Sequence, residues 1–430
     1  MNLVMKDINN FNFQKILLFL FFFTPSIIFI SKFVADLFLS VVSIGSIFLI
    51  VKHKRFKEVE LVLPFFLFIF YITLNSLIQQ LDLKLFLKAF FLIRFPLFLL
   101  FPLLINFKLD ELNFHKKYLI FGPLIIFLIN MYSQIIFSQD IFGNDFQNNY
   151  QRTTSFFGDE YIAGSYLFFV FFIILFSTKE FNNKILIILS VVYFSIFFSG
   201  DRTPFININF FLLIYFILKF NKIFTYKKTI SYSFIFIIIC SSLFTLHSKN
   251  LIKFDAFTKY LNTFKDIKND LVSERDDGND LGIKRWAYYG LINKSYVIFE
   301  KNPFFGTSYK TFRIECKNSK YDQRYSQITN NLEYDGCSTH PHNFYAEIVS
   351  EQGLIGFILF MLLILSLFKF SEISSKTSYN NLIFKIFIFV HFFPLKPFGS
   401  FYTNFLLIMF SSCIAIYFIF NKNNALKSES

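Results

Sequence analysis

The stretch STHPHNFYAEIVSEQGLIGF, residues 338–357, sets His340, His342, Asn343, Glu347 and Glu351 directly ahead of a long apolar run. Imidazole is the side chain best suited to accept a proton near neutral pH. Ser338 and Thr339 are good helix N-caps, and Pro341 suits a first helical position, where its missing N–H would be unpaired anyway. The sequence therefore predicts a helix that begins beside His342, holds it in the first turn, and bends at Gly353 into a membrane span. The helix dipole at that end disfavours an imidazolium, which leaves a neutral imidazole usable as a base. The alternative is that both histidines merely sit at a membrane interface as amphipathic residues.

Four arginines are the candidate partners of such a base. Arg202 lies in SGDRTPF, Arg152 in the loop before a span, Arg285 at the head of RWAYYGLINKSYVIFE, and Arg94 about halfway along a span. A charge inside hydrocarbon costs a few kcal/mol on insertion scales, so Arg94 is functional or paired. Arg152 could also be a solvated loop residue, and Arg202 a positive anchor at a helix end. Guanidinium forks bind phosphate oxygens two at a time, so several of them converging on one outer cavity would suit a diphosphate.

The histidines lack the surroundings of a metal site. There is no CxxC, and HPH has no carboxylate or thiolate in ligand spacing, so no metal and no cofactor is expected. Of four cysteines, Cys240 and Cys413 fall in apolar spans as small filler. Cys316 and Cys337 share an outer loop, where an oxidising compartment would allow a bridge worth roughly 3 kcal/mol.

The elements that must position these residues are membrane helices. The 430-residue chain is 54% hydrophobic with 71 phenylalanines, and its mean hydropathy is +0.50. A water-soluble domain is excluded. Spans of roughly 20 apolar residues cross about 30 Å of hydrocarbon. About twelve can be read, near 15–31, 33–51, 59–78, 84–105, 118–137, 161–178, 184–199, 204–219, 229–247, 353–370, 382–393 and 404–420. The net charge of +13 sits largely in alternate short connections such as KHKRFK (52–57) and KFNKIFTYKK (219–228). That pattern places those connections and both termini in the cytoplasm, and argues against a nucleic-acid partner. The first span is followed at once by a second and has no convincing cleavage site, so it is expected to be retained. The expected organisation is all-α: nine spans in 1–247, a large, mostly helical outer (periplasmic) subdomain in 248–343, and an amphipathic helix with three more spans in 344–430.

The motif residues resemble a known family. HPHNFYAEIVSEQGLIG is similar to the signature of the O-antigen ligase and polymerase superfamily, a histidine and an amide or serine followed after nine residues by GxxG; here these are His342, Asn343, Gly353 and Gly356. Arg202 is similar to the family's outer arginine, with Ile206 where leucine is usual. KNPFFGTSYKTF (301–312) resembles the family's PlfG segment. The arginine and tryptophan that precede it there are approximated by Arg285 and Trp286, with Arg275 as a substitute. SFFGDEYIAGSYL (155–167) resembles the glycine-bearing start of a mid-chain span. The resemblance covers about 150–370.

What the resemblance implies is transfer of a glycan from undecaprenyl diphosphate to an acceptor hydroxyl at the outer face of the bacterial inner membrane. His342 would be the base, Arg202 and Arg285 would hold the diphosphate, and Arg152 and Arg94 would be weaker contributors. The acceptor is the lipid A core for a ligase, or another lipid-linked repeat for a polymerase; a protein hydroxyl is a third possibility. A transporter of lipid-linked sugars is the alternative from another class, and it would call for several ionisable residues near mid-membrane.

Overall fold

The computed structural model describes residues 2–80, 82–105, 107–146, 152–178, 183–223, 287–321, 337–374, 378–397 and 399–427. Helices occupy every expected span except 229–247, which lies outside the described residues. They are α1 (Asn2–Ile27), α2 (Lys32–His53), α3 (Lys57–Glu60), α4 (Leu63–Gln80), α5 (Leu83–Phe90), α6 (Arg94–Leu104), α7 (Leu109–Lys116), α8 (Gly122–Phe137), α9 (Ala163–Phe176), α10 (Asn183–Phe198), α11 (Arg202–Ile223), α12 (Ala287–Lys301), α13 (Phe312–Glu315), α14 (Phe344–Ser374), α15 (Ser378–His391) and α16 (Asn404–Lys427). No strand occurs among the described residues, only an isolated bridge between Gln139 and Asp145. The fold is all-α, and five stretches among the described residues are long and apolar enough to cross a membrane: Lys32–His53, Leu83–Leu104, Asp110–Phe137, Phe344–Lys369 and Asn404–Asn421.

The chain divides into two compact units, Met1–Phe121 with Asp266–Ser430, and Gly122–Lys265. In the first unit α16 packs against α1, α2, α6 and α14. It is buried nearly all round, as expected of a helix apolar on every face. Two of its polar groups pair with α15: Asn380 Nδ2 donates to Asn421 Oδ1 at 3.0 Å, and Tyr417 Oη donates to Asn381 Oδ1 at 2.7 Å. Such interhelical hydrogen bonds hold helices together where lipid supplies no hydrophobic drive. By contrast Ile16, Ile44, Phe48 and Val51 on α1 and α2 are exposed. An apolar solvent is the surrounding these side chains suit.

In the second unit α9 packs against α10 and α11. Gly164, at its start, leaves room for the turn before α11: a Cβ there would lie 2.5 Å from the Asp201 Cβ and the Ser199 Oγ. The glycine in SFFGDEYIAGSYL that marks the start of this span is therefore the seat of the SGDR turn.

Of the expected outer subdomain, residues 287–321 and 337–343 are described. They carry a small core of Leu291, Val297, Ile298, Phe312, Cys316 and Tyr321, with Cys337 packed against it. Cys316 and Cys337 form a disulfide with their Cα atoms 5.2 Å apart. Replacing both by serine is expected to lower stability by ~3 kcal/mol for a cross-link of this length, read as an earlier denaturant midpoint with insertion into the membrane unchanged.

Candidate active site

The histidine motif differs from expectation in its first turn. Helix α14 begins at Phe344, and His342 lies outside it with φ 54°, in the left-handed region. Asn343 is the N-cap in place of Ser338 or Thr339: its Oδ1 accepts from the backbone N–H of Tyr345 at 2.9 Å and of Ala346 at 3.1 Å. The physical reason is that a short amide caps two orphan donors directly at this position. His342 is thereby displaced from the first turn to the residue just before the cap. It remains at the positive end of the helix, and histidine is among the few side chains that tolerate φ above zero. The His340 and His342 rings lie 4.1 Å apart between centroids, and Thr339 Oγ1 is 2.9 Å from His340 Nδ1.

The first turns of α14 fasten the segment that joins α15 to α16. Asn343 Nδ2 donates to the Pro394 carbonyl at 2.6 Å, and Tyr345 Oη to the Phe392 carbonyl at 2.6 Å. Glu347, buried, accepts from Ser400 Oγ at 2.5 Å and from the Phe401 N–H at 2.7 Å. In the same segment Lys396 is buried, with its Nζ donating to the Val390 carbonyl at 2.7 Å. Burial pushes its ammonium far below the ordinary lysine range.

One turn further along, α14 breaks. Gly353 takes φ 64° and ψ −165°, and the segment 303–308 fills the gap with its own backbone. In an unbroken helix the N–H groups of Leu354 and Ile355 would bond to the carbonyls of Ser350 and Glu351. Instead they donate to Pro303 at 2.8 Å and Phe304 at 3.2 Å, while Ser350 and Glu351 accept from Thr307 at 3.2 Å and Ser308 at 2.7 Å. The Gln352 carbonyl is taken by Tyr71 Oη at 2.8 Å, and Asn75 Nδ2 holds both the Phe305 carbonyl and Gln352 Oε1. A helix can break at membrane depth only where its freed groups find such partners. Two backbones this close leave no room for side chains: a Cβ on Gly353 would lie 2.4 Å from the Phe304 carbonyl carbon, and one on Gly306 2.4 Å from that of Glu351. Gly356 faces Tyr71, whose ring would lie 3.0 Å from an added Cβ.

Glu351 completes the joint. Its buried carboxylate accepts from the N–H groups of Lys310 at 2.8 Å and Phe312 at 2.9 Å. The Tyr309 ring meets Tyr402 edge-on at 4.9 Å between centroids. Burial, with Glu351 and Glu347 nearby, pushes both phenols above their ordinary range, so they stay neutral. Sequence reasoning missed Glu347 and Glu351 as anchors. Their i, i+4 spacing, which puts both on one side of α14, was the available signal.

Arg94, also in this unit, is paired: its Nη2 lies 2.8 Å from Asp36 Oδ1 and 3.3 Å from Asn404 Oδ1, and its Nη1 donates to the Phe91 carbonyl. In the other unit Arg152 and Arg202 come together at the SGDR turn. Arg152 Nη1 is 3.7 Å from Asp201 Oδ1, and the Thr153 N–H donates to the Ser199 carbonyl at 3.1 Å. Gln134 fixes the Arg152 strand from α8, accepting from Thr153 Oγ1 and the Ser155 N–H while donating to the Ser155 carbonyl. Arg202 opens α11, and its Nε is buried with no acceptor among the described residues. Arg285, Trp286 and Arg275 lie outside the described residues. Among the described residues no three His, Cys, Asp or Glu side chains gather so as to hold a metal ion.

Residues 185–361 match the family model described as O-antigen ligase. This part of the chain is similar to the O-antigen ligase family. The matched stretch contains Arg202, the 303–308 segment, His342 and the glycine break. That similarity supports glycan transfer of ligase or polymerase type on lipid-linked glycans, and the apolar helices fit a membrane protein. No curated protein matches the chain.

Proposed function

We propose that the protein is an O-antigen ligase-like transferase that moves a glycan from undecaprenyl diphosphate to a sugar hydroxyl of the lipid A core. It works at the periplasmic face of the bacterial inner membrane, in a chain of about twelve spans with both termini in the cytoplasm. The observation that carries the reading is the seating of His342. A non-helical imidazole is held just ahead of a helix whose cap, anchors and break are all fixed by hydrogen bonds, within the domain that matches the family.

The acceptor hydroxyl is a poor nucleophile, and His342 takes its proton as the oxygen attacks the anomeric carbon. The bond from that carbon to the diphosphate breaks, and the electron pair leaves on undecaprenyl diphosphate. Attack opposite the leaving group inverts the anomeric centre. Diphosphate is already a good leaving group, so neutralising its charge matters more than protonating it. Arg202, with no acceptor of its own among the described residues, and Arg152 beside it supply that charge, together with Arg285. Arg94 is committed to Asp36 and contributes less directly.

The test is a gel of surface glycolipid from a strain lacking the gene, with undecaprenyl-linked material analysed alongside. Long polymer stranded on undecaprenyl with bare core is the expected result. Core bearing a single repeat would make the protein a polymerase.

A further inference from the structure

The helix break holds a group of cations that the transfer step above does not use. Lys310 follows Tyr309 in the segment docked at Gly353, with φ 58° and its ammonium 5.3 Å from the Tyr309 ring centroid. Arg313 is exposed on α13 and Lys88 is exposed on α5. Burial is the main cause that lowers the Lys310 ammonium; Arg313 and, more weakly, Lys88 add to it, while the buried Glu347 and Glu351 act in the opposite sense, so these charges share one field. The neighbouring carboxylates do not neutralise them through ion pairs: the oxygens of Glu351 are taken by two backbone N–H groups, and those of Glu347 by Ser400 and the Phe401 N–H. None of the three cations has an ion-pair partner among the described residues. With those carboxylates held by other donors, the ammonium and guanidinium groups keep their own N–H donors for an anionic ligand, which charge-assisted hydrogen bonds would hold.

The segments that carry the cations also expose apolar side chains. On α5, Leu83, Leu87 and Phe90 fall on one face and are exposed, with Lys84 and Lys88 beside them. Phe304 and Ile314 are 61% and 62% exposed on the docked segment and α13. Asn75 on α4 holds the Phe305 carbonyl, and α4 packs on α5, which brings the two segments into one neighbourhood. Basic side chains interleaved with exposed apolar ones match an amphiphile with an anionic head and acyl tails at a membrane surface.

We propose that Lys88, Lys310 and Arg313, with Leu87, Phe304 and Ile314 on the same segments, bind a phosphate of the lipid-anchored acceptor. This rests on the ligase reading, in which the donor's diphosphate is held by other arginines and the acceptor is a second anionic lipid. The free soluble phosphate ion is the wrong shape for a site so apolar at its edges; a phosphorylated glycolipid satisfies both parts.

The test uses the full-length protein in nanodiscs of zwitterionic lipid, with bis-phosphorylated lipid A and its dephosphorylated form as probes. The triple variant K88A/K310A/R313A is expected to lose more than about tenfold in affinity for the phosphorylated probe, since each lost bond to a charged group is worth that order of effect. Its binding of the dephosphorylated probe and of undecaprenyl diphosphate is expected to be unchanged. Equal affinity of wild type and variant for the phosphorylated probe overturns the proposal, as does a loss confined to undecaprenyl diphosphate. The single variant K310A, whose backbone contacts to Glu351 survive, guards against misfolding and is expected to show a smaller loss of the same kind. The binding assay is independent of the glycolipid gel, so a polymerase phenotype there would refute the ligase reading while phosphate recognition is read separately.

Discussion

Replacing His342 by alanine is expected to reduce glycan transfer by about 10²–10⁴-fold, the ordinary contribution of a positioned general base. The protein should still reach the membrane and bind undecaprenyl diphosphate, because the residue's backbone is outside α14 and the cap is Asn343. Alanine at φ 54° is somewhat strained, so a loss of activity alone would not separate chemistry from geometry. Asparagine tolerates the left-handed region and cannot accept the acceptor's proton as imidazole does. His342→Asn is therefore expected to be as inactive as His342→Ala while unfolding at the wild-type denaturant concentration. Transfer by His342→Asn at the wild-type rate would remove His342 from the base role. His340 is the natural control, since its ring lies 4.1 Å away and a base acting through either histidine would survive one substitution.

The positions of the helices were legible because a membrane imposes a length on apolar segments; α2 and α16 reach that length, while α9 and α10 lie where spans were expected but run only 14 and 16 residues. The bend at Gly353 could be read from a glycine between a polar turn and an apolar run. What fills the bend could not. The 303–308 segment lies about 50 residues upstream, and the hydrogen bonds it exchanges with Ser350, Glu351, Leu354 and Ile355 are backbone to backbone apart from one from the Thr307 hydroxyl, which leaves little pattern in side-chain type beyond Gly306 itself. The start of α14 was misplaced for a related reason. STHPH offers two plausible caps, Ser338 and Thr339, but the cap is Asn343, whose amide also reaches the Pro394 carbonyl. Arg94 was marked as functional or paired by its depth alone, but its partner Asp36 sits on another helix with no spacing rule to connect them. Arg152 reaches Asp201, the residue before Arg202, through the turn that Gly164 seats and the segment that Gln134 holds, contacts made by shape that a linear reading lacks.

Gly353→Ala is the substitution with the largest expected structural effect. Its Cβ would sit 2.4 Å from the Phe304 carbonyl carbon and oxygen, which are backbone atoms that cannot rotate away, and φ 64° is itself unfavourable for alanine. Relief requires the 303–308 segment to lift off α14. That would release four backbone hydrogen bonds in one step, at about 0.5–1.5 kcal/mol each and more where the freed groups stay buried. The alternative is that α14 straightens through residue 353 and regains its own bonds from 350 and 351. Either outcome detaches the 310–312 turn that Glu351 holds and redirects the first turns of α14, which His342 directly precedes. Transfer is expected to fall below detection, with the Cys316–Cys337 bridge retained and limited proteolysis newly cutting between 302 and 312. Gly356→Ala gives no mild contrast, because its Cβ would lie 2.2 Å from the Gln352 Cβ as well as 3.0 Å from the Tyr71 ring; the expected contrast is Gly122→Ala at the start of α8, where an added Cβ meets nothing within 4 Å. That variant should keep most of its activity. If Gly353→Ala were equally active and equally resistant to protease, the break in α14 would have no part in positioning the site, and the GxxG spacing would need another cause.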